Sequence, residues 1–287
     1  MNKTITIITP SYNQGLYIEE TIQSVLSQVG NFYIDYIIAD GGSTDQSVSI
    51  IKKYDQLIKN NSYPTKCLGI KYRWWSKKDR GQTDAINQGL KIATGNLISW
   101  LNSDDYLEPN ALSKVFKEFI NHPNYSLFYG DGYLLNQFNG NKKILKARPG
   151  NFQQFLKRGH DIFQPAAFFT KNIITKVGFL DQNMHYAFDY DFWLRILKVG
   201  HSYYFPETLA TFRLWPNSKT SSKQNEFFKE RKQIFKKYGG NIIDPKTIYQ
   251  FRNMIPGTNL IYLRLPTIYN LIKKIFYSII DHLHYRN

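Results

Sequence analysis

The 287-residue chain has a single cysteine, Cys67, and is short of acidic side chains, with 22 Asp and Glu against 37 Lys and Arg. One cysteine excludes an intrachain disulfide and a Cys-rich zinc site, and it fits a reducing compartment. No segment approaches the roughly 20 apolar residues needed to cross a bilayer. The apolar stretch at Ile5 to Ile8 is interrupted by Thr6 and closed by Thr9 and Pro10, too short for a signal-peptide core. Metal-ligand spacing is also lacking among the six histidines, apart from His282 and His284, which read as surface residues. Internal repeats and low-complexity tracts are absent. These deficits predict a cytoplasmic protein, soluble or peripheral on the inner face of the cell membrane.

A hydrophobic content of 42% is enough to build a real core at this length. The formal charge of +15 should draw polyanions: nucleotide diphosphates, anionic lipid headgroups or nucleic acid. Thr4 to Ile8 reads as a buried strand, and Ile18, Ile22, Val25 and Leu26 then recur at helical spacing. Tyr33 to Ala39 predicts a second strand, followed by a Gly41-Gly42 turn and a helix capped by Ser43 or Thr44. Ile70 to Trp75, the helix Gly81 to Ala93 and the strand Asn96 to Leu101 continue the alternation, which implies a mainly parallel, doubly wound α/β sheet. After a helix over Pro109 to Ile120 the pattern changes to shorter, more aromatic strands: Ser126 to Gly130, Tyr133 to Phe138, Lys143 to Ala147 and Phe163 to Thr170. Asn139-Gly140-Asn141 marks a hairpin turn. The expected division is 1–121, 122–215 and a C-terminal helical extension over 216–287. In that extension Leu271, Ile272, Ile275, Phe276, Ile279, Ile280 and Leu283 form one apolar stripe flanked by Lys273 and Lys274. The stripe could dock on the protein's own body, on a second copy in a homodimer, or in the plane of an anionic membrane.

Three acidic clusters carry the chemistry: Asp40-Gly41-Gly42-Ser43-Thr44-Asp45, Asn102-Ser103-Asp104-Asp105, and Asp189-Tyr190-Asp191. The first two follow strand-like runs, where a parallel α/β sheet exposes its ligand-binding edge. A divalent ion such as Mg²⁺ or Mn²⁺ needs only one or two carboxylates beside phosphate oxygens and water, so Asn102-Ser103-Asp104 has a suitable form, with Asp104 the strongest ligand. Asp104 and Asp105 could instead cap the following helix, and Asp40 could shape an Asx turn. Asp84 and Asn87 share a helix face, and Asp191 with Arg195 has the spacing of an intrahelical ion pair.

Taken in order, Thr9-Pro10-Ser11-Tyr12-Asn13-Gln14-Gly15, Asp40 to Asp45, Asp79-Arg80-Gly81-Gln82-Thr83-Asp84 and Trp100 to Asp105 resemble the family 2 glycosyltransferases, with a specific match over residues 4 to about 110. The resemblance implies the GT-A fold, with a smaller mixed acceptor-side sheet, and an inverting, metal-dependent sugar transfer from a UDP-, GDP- or dTDP-linked donor. The acceptor it implies is a glycan or lipid-linked saccharide of bacterial surface-polysaccharide biosynthesis. By it, Pro10, Tyr12 and Asp40 line the nucleoside pocket, Asn102 and Ser103 accompany the metal ligand Asp104, Arg80 approaches the diphosphate, and Asp84 approaches sugar or ribose hydroxyls. Asp189 takes the position of the general base, preceded by Phe188 where the family more often has an acidic residue. His160, Asp161 and Gln164 fall in the acceptor-side segment. Arg213 could contact phosphate, and Trp215 stands where the family has a histidine, so it could stack on a sugar but not ligate a metal. A nucleotidyltransferase of related fold is less favoured because Pro10 to Gly15 lacks a Gly-rich basic phosphate loop. A noncatalytic nucleotide-sugar binder or a nucleic-acid-binding protein is the alternative from another class, but no nucleic-acid module is visible and no nucleic-acid partner is expected.

Overall fold

The computed structural model describes residues 3–158, 162–215, 218–219 and 223–239. His160, Asp161, His282, His284 and the amphipathic stripe from Ile268 lie outside them. β1 (Thr4–Ser11), α1 (Ile18–Leu26), β2 (Gly30–Asp40), α2 (Ser47–Lys59), β3 (Cys67–Ser76), α3 (Gln82–Ile92) and β4 (Leu97–Trp100) alternate along the first hundred residues. β1 pairs in parallel with β2 and β4, and β3 adds in parallel outside β2. Every residue of β1 from Ile5 to Ser11 is buried, as expected of a central strand covered on both faces.

The remaining elements are β5 (Tyr106–Leu107), α4 (Ala111–Asn121), β6 (Leu127–Asn136), β7 (Lys142–Leu145), α5 (Phe152–Arg158), a 3₁₀ turn (Gln164–Ala166), β8 (Ala167–Thr170), α6 (Ile173–Val177), α7 (Phe188–Val199), β9 (Ser202–Leu214) and α8 (Gln224–Lys237). The strands of this half continue the first sheet in the order β3-β2-β1-β4-β8-β6-β9-β5, with β7 paired to β6. β8 runs antiparallel to β4 and β6, β9 parallel to β6, and β5 antiparallel to β9. This order forces the sheet to curl. β4 and β5 are four strand spacings apart, about 19 Å in a flat sheet, yet only residues 101–105 join them. The six steps from Trp100 to Tyr106 would reach about 20–22 Å only if fully extended, and they are not extended, since Asp105 N–H closes a turn on the Asn102 carbonyl at 3.1 Å. The Asn102–Asp105 loop therefore bridges the mouth of a curled sheet.

β6 is one strand where two were expected, because Gly130 and Gly132 break its apolar pattern. Both glycines serve close approach. A Cβ at Gly130 would lie 2.3 Å from the Glu207 carbonyl, and one at Gly132 would lie 1.9 Å from the Phe163 ring. β8 starts at Ala167, later than expected, since Pro165 has no N–H for a ladder and sits in the 3₁₀ turn. The core has one cluster on each face of the sheet. In the first, Trp100 at the end of β4 stacks on Trp193 of α7, with centroids 5.1 Å apart and planes within 10°. Truncating such a buried aromatic costs about 3–5 kcal/mol, so this pair firmly ties the strand before Asn102 to the helix that bears Asp189.

Candidate active site

β1, β2 and β4 are parallel, so their C-terminal ends meet at one sheet edge. Asp40 ends β2, fully buried. Its Oδ2 accepts from Gly42 N–H (3.1 Å), Ser43 N–H (2.9 Å) and Ser76 Oγ (2.6 Å), and its Oδ1 from Ser43 Oγ (2.5 Å). Asp40 thus shapes the turn, which Gly42 completes with φ +85°, and ties it to the end of β3. The loops after β1 and β2 are laced together. Asn13 N–H donates to Ser43 Oγ, Thr44 N–H to Asn13 Oδ1, Gly15 N–H to Asp45 Oδ2 and Gln14 N–H to Ser47 Oγ, all at 2.8–2.9 Å. Residues 43–45 are spent on that lacing, which is why α2 starts at Ser47 and not at the expected Ser43 or Thr44 cap. Pro10 is buried in β1, whereas the Tyr12 ring is 61% exposed over this edge.

Between β3 and α3, Gly81 takes φ +107° and lets the chain turn into the helix. Burial works to raise the Asp84 carboxyl, but Arg80 N–H at 3.1 Å, the Arg80 guanidinium at 3.4 Å and Gln88 outweigh it and hold it below the ordinary range. Asp84 also accepts from Gln182 at 3.1 Å, while Asn87 exchanges two 2.9 Å hydrogen bonds with the Leu180 backbone, so both face the segment leading into α7. Burial raises the carboxyl of Asp79, with Asp84 and Asp40 adding like charge nearby.

The bridging loop is held from three sides. Thr21 Oγ1 on α1 donates to the carbonyls of Ser103 (3.0 Å) and Asp105 (2.7 Å). Asn102 receives Gln82 Nε2 at 2.7 Å and donates to Asp105 Oδ2 (3.1 Å) and Gln164 Oε1 (3.2 Å), and Gln164 Nε2 returns to the Trp100 carbonyl at 2.8 Å. From β9, Arg213 N–H donates to Asp105 Oδ1 at 3.0 Å, its Nε to the Asp104 carbonyl at 2.9 Å, its Nη1 to Gln137 at 2.9 Å and its Nη2 to Glu20. Trp215 Nε1 donates to Asp104 Oδ2 at 2.8 Å, and its ring rests 5.3 Å from Tyr17. Asp105 is buried completely. Burial and the adjacent Asp104 push its carboxyl well above the usual range, and its oxygens are taken up within the loop. Burial raises Asp104 too, against the pull of Trp215, Arg213 and Lys219. Apart from its own backbone N–H, Trp215 is the one hydrogen-bond donor to the Asp104 carboxylate among the described residues. Hence Asp105 and Arg213 brace the loop, and Asp104 is the less fully engaged carboxylate of the pair.

Asp189 stands in the first turn of α7, where the helix dipole complements a carboxylate, and accepts from Tyr190 N–H at 2.8 Å. Asp191 is buried and pairs with Arg195 (2.8 Å), as its spacing predicted, and with Lys237 and Tyr238 (2.9 Å each). The segments of Asp104 and Asp189 meet at Lys219. Its Nζ donates to Gln82 Oε1 at 2.8 Å and reaches the His185 carbonyl at 3.5 Å. Loss of hydration lowers the Lys219 ammonium, while Glu230, Asp104 and Asp79 counter it. Sequence reasoning missed Gln82, Lys219 and Glu230, since no local spacing marks a side chain whose partners are contributed by distant loops.

A curled mixed α/β sheet with acidic side chains at the ends of its parallel strands defines the GT-A class of glycosyltransferases. Residues 6–176 match the family model described as Glycosyl transferase family 2, and the chain belongs to that family. It is 26% identical over 229 residues to an uncharacterized glycosyltransferase of Rickettsia typhi, spanning 77% of this chain and 67% of that protein. Its fold is similar to that of S. aureus TarS 1-349 in complex with UDP-GlcNAc, with a TM-score of 0.59, 16% identity and coverage of 91% and 76% of the two chains. It is likewise similar to the mannosyltransferase PcManGT from Pyrobaculum calidifontis in complex with GDP-Man and Mn²⁺, with a TM-score of 0.59, 16% identity and coverage of 85% and 66%.

Proposed function

We propose that the chain transfers a sugar from a nucleoside-diphosphate donor to a hydroxyl of a glycan or lipid-linked saccharide, with inversion at the anomeric carbon. Asp40, Tyr12 and Pro10 serve the nucleoside, Arg80 and Asp84 the donor's diphosphate and hydroxyls, and Asp104 the metal. The observation that carries the reading is the meeting at Lys219 of the Gln82–Asn102 pair and the His185 carbonyl, which relates the Asp104 loop and the start of the Asp189 helix to one cleft. Among the described residues no group of three or more His, Cys, Asp or Glu could hold a metal by itself. A carboxylate with a single side-chain donor, Trp215, suits Mn²⁺ or Mg²⁺ completed by phosphate oxygens and water. When bound, that ion neutralises charge gathering on the leaving diphosphate. The named structural neighbours, solved with UDP-GlcNAc and with GDP-Man and Mn²⁺, support this choice of donor and metal.

In this reading Asp189 accepts the proton of the acceptor hydroxyl as its oxygen bonds to the anomeric carbon and the bond from that carbon to the diphosphate breaks. Arg213 and Trp215 act as supports of the Asp104 loop. The test is a panel of UDP-, GDP- and dTDP-sugars with Mn²⁺, read first by thermal stabilisation and then by turnover and the anomeric configuration of the product. We expect one donor class to stabilise the chain only with metal, and Asp104→Ala to abolish that stabilisation. Asp189→Asn should keep it and lose turnover. A product of retained configuration, or full turnover in both variants, overturns the reading.

A further inference from the structure

α7 starts without a cap of its own. Its N-cap is Ala187, whose side chain accepts nothing, and Tyr190 stands at the third helical position, where a Glu or Gln would reach back to the N-cap amide. The acceptor comes from another helix. Glu230, in the middle of α8 and 9% exposed, takes His185 N–H on Oε1 at 2.7 Å and the N–H groups of Tyr186 and Ala187 on Oε2 at 2.8 Å each. Around it Phe227 packs on Tyr186 at 5.3 Å and Phe235 meets Tyr190 edge-on at 6.1 Å, with Ile234 and Phe235 buried. One turn or more further on, Lys237 and Tyr238 converge on Asp191 Oδ1. α8 therefore grips the chain on both sides of Asp189: the backbone two to four residues before it and the carboxylate two residues after it.

We propose that Glu230 is a positioning residue for Asp189. By holding three amides it sets where the first turn of α7 begins, and hence where the Asp189 carboxylate stands against the acceptor hydroxyl. The inference rests on Asp189 being the base. Displacement of a reacting group by about 1 Å can cost about 100-fold in rate, and an amide in place of the carboxylate keeps one acceptor oxygen but turns its NH₂ toward the N–H donors that shared the other. α8 lies beyond residues 6–176, so this support is built outside the stretch that matches the family.

The experiment uses the full chain and the nucleotide sugar that the wild type turns over in the panel. Glu230→Gln should lower kcat by about 10- to 100-fold while the donor KM stays within about two-fold. Hydrogen exchange over residues 185–191 should quicken. Glu230→Asp, which keeps the charge, should recover part of the rate. The Glu230→Gln/Asp189→Asn double variant should be no slower than Asp189→Asn alone, the non-additivity of two residues acting through one group. If Glu230→Gln slows the Asp189→Asn enzyme by the factor it imposes on the wild type, or leaves kcat unchanged, the proposal is overturned and the base assignment stands. Wild-type turnover in Asp189→Asn would remove the base assignment and the proposal with it.

Discussion

Replacing Trp215 by Phe takes one atom group out of the Asp104 loop and leaves the ring that packs 5.3 Å from Tyr17. What is lost is the indole N–H on Asp104 Oδ2 at 2.8 Å. A hydrogen bond to an ionised acceptor contributes about 1.5–3 kcal/mol, and loss of an outer partner of a metal ligand typically costs about 10- to 100-fold in affinity, or about 1.4–2.7 kcal/mol. The two routes agree. Mn²⁺ titrated into the full chain with UDP or GDP present, and followed by the electron paramagnetic resonance of free Mn²⁺, should show Kd raised by that factor. The acid limb should move as well. Burial already raises the Asp104 carboxyl, and Trp215 is one of the groups that oppose it. Without the indole N–H the carboxylate forms at a higher pH, so Mn²⁺ binding should fail earlier on acidification. Mn²⁺ affinity within two-fold of wild type at every pH would refute the reasoning.

Asp191→Asn should lower the melting temperature at neutral pH by the equivalent of about 2–4 kcal/mol, since it breaks a buried carboxylate's links to Arg195, Lys237 and Tyr238. Burial works to raise Asp191, but Lys237, Arg195 and Tyr238 outweigh it and hold it below the ordinary range. Its contribution is therefore present above the unfolded value of about 3.9 and lost as pH falls through the lower folded value, so the wild-type advantage over the variant should vanish in acid melts. Arg213→Lys keeps the charge but cannot reach Asp104 O, Gln137 and Glu20 together. We expect a loss of about 1–3 kcal/mol in denaturant melts, together with weakened Mn²⁺ binding. Gly132→Ala drives a methyl into the Phe163 ring and should cost about 1–3 kcal/mol, with added loss of turnover as the neighbouring Gln164 leaves Asn102.

The parallel half of the fold was readable from residues because each element there carries its own signal. Apolar runs ending in Pro10, Asp40 and Trp100 are covered on both faces, and the helices between them repeat every three to four residues. The second half hides its signals. β9 contains Pro206, which argues against a strand by its missing N–H, and it persists because β6 pairs with it both before and after that point and β5 pairs with it after. The acidic clusters were visible in the sequence, but the packing that holds each carboxylate was not. Adjacent Asp104 and Asp105 differ only in which way the loop turns them, and that is set by Arg213 and Trp215. The support at the start of the Asp189 helix was still less visible, for Glu230 lies in a Lys-rich helix and its partners are backbone N–H donors, which no side-chain pattern records.

The braces of the acidic loop come late in the chain: Arg213 and Trp215 follow their partners Asp105 and Asp104 by 108 to 111 residues. During synthesis the parallel strands leave the ribosome complete while this loop has only Thr21 and Gln82 to hold it, and the edge strand β5 must wait for β9 before it can pair. Closing so distant a contact is slow and carries the entropic cost of a long loop. A nascent chain halted before β9 would thus display a finished sheet edge and a half-braced acidic loop, so the parallel half is not a module that matures alone.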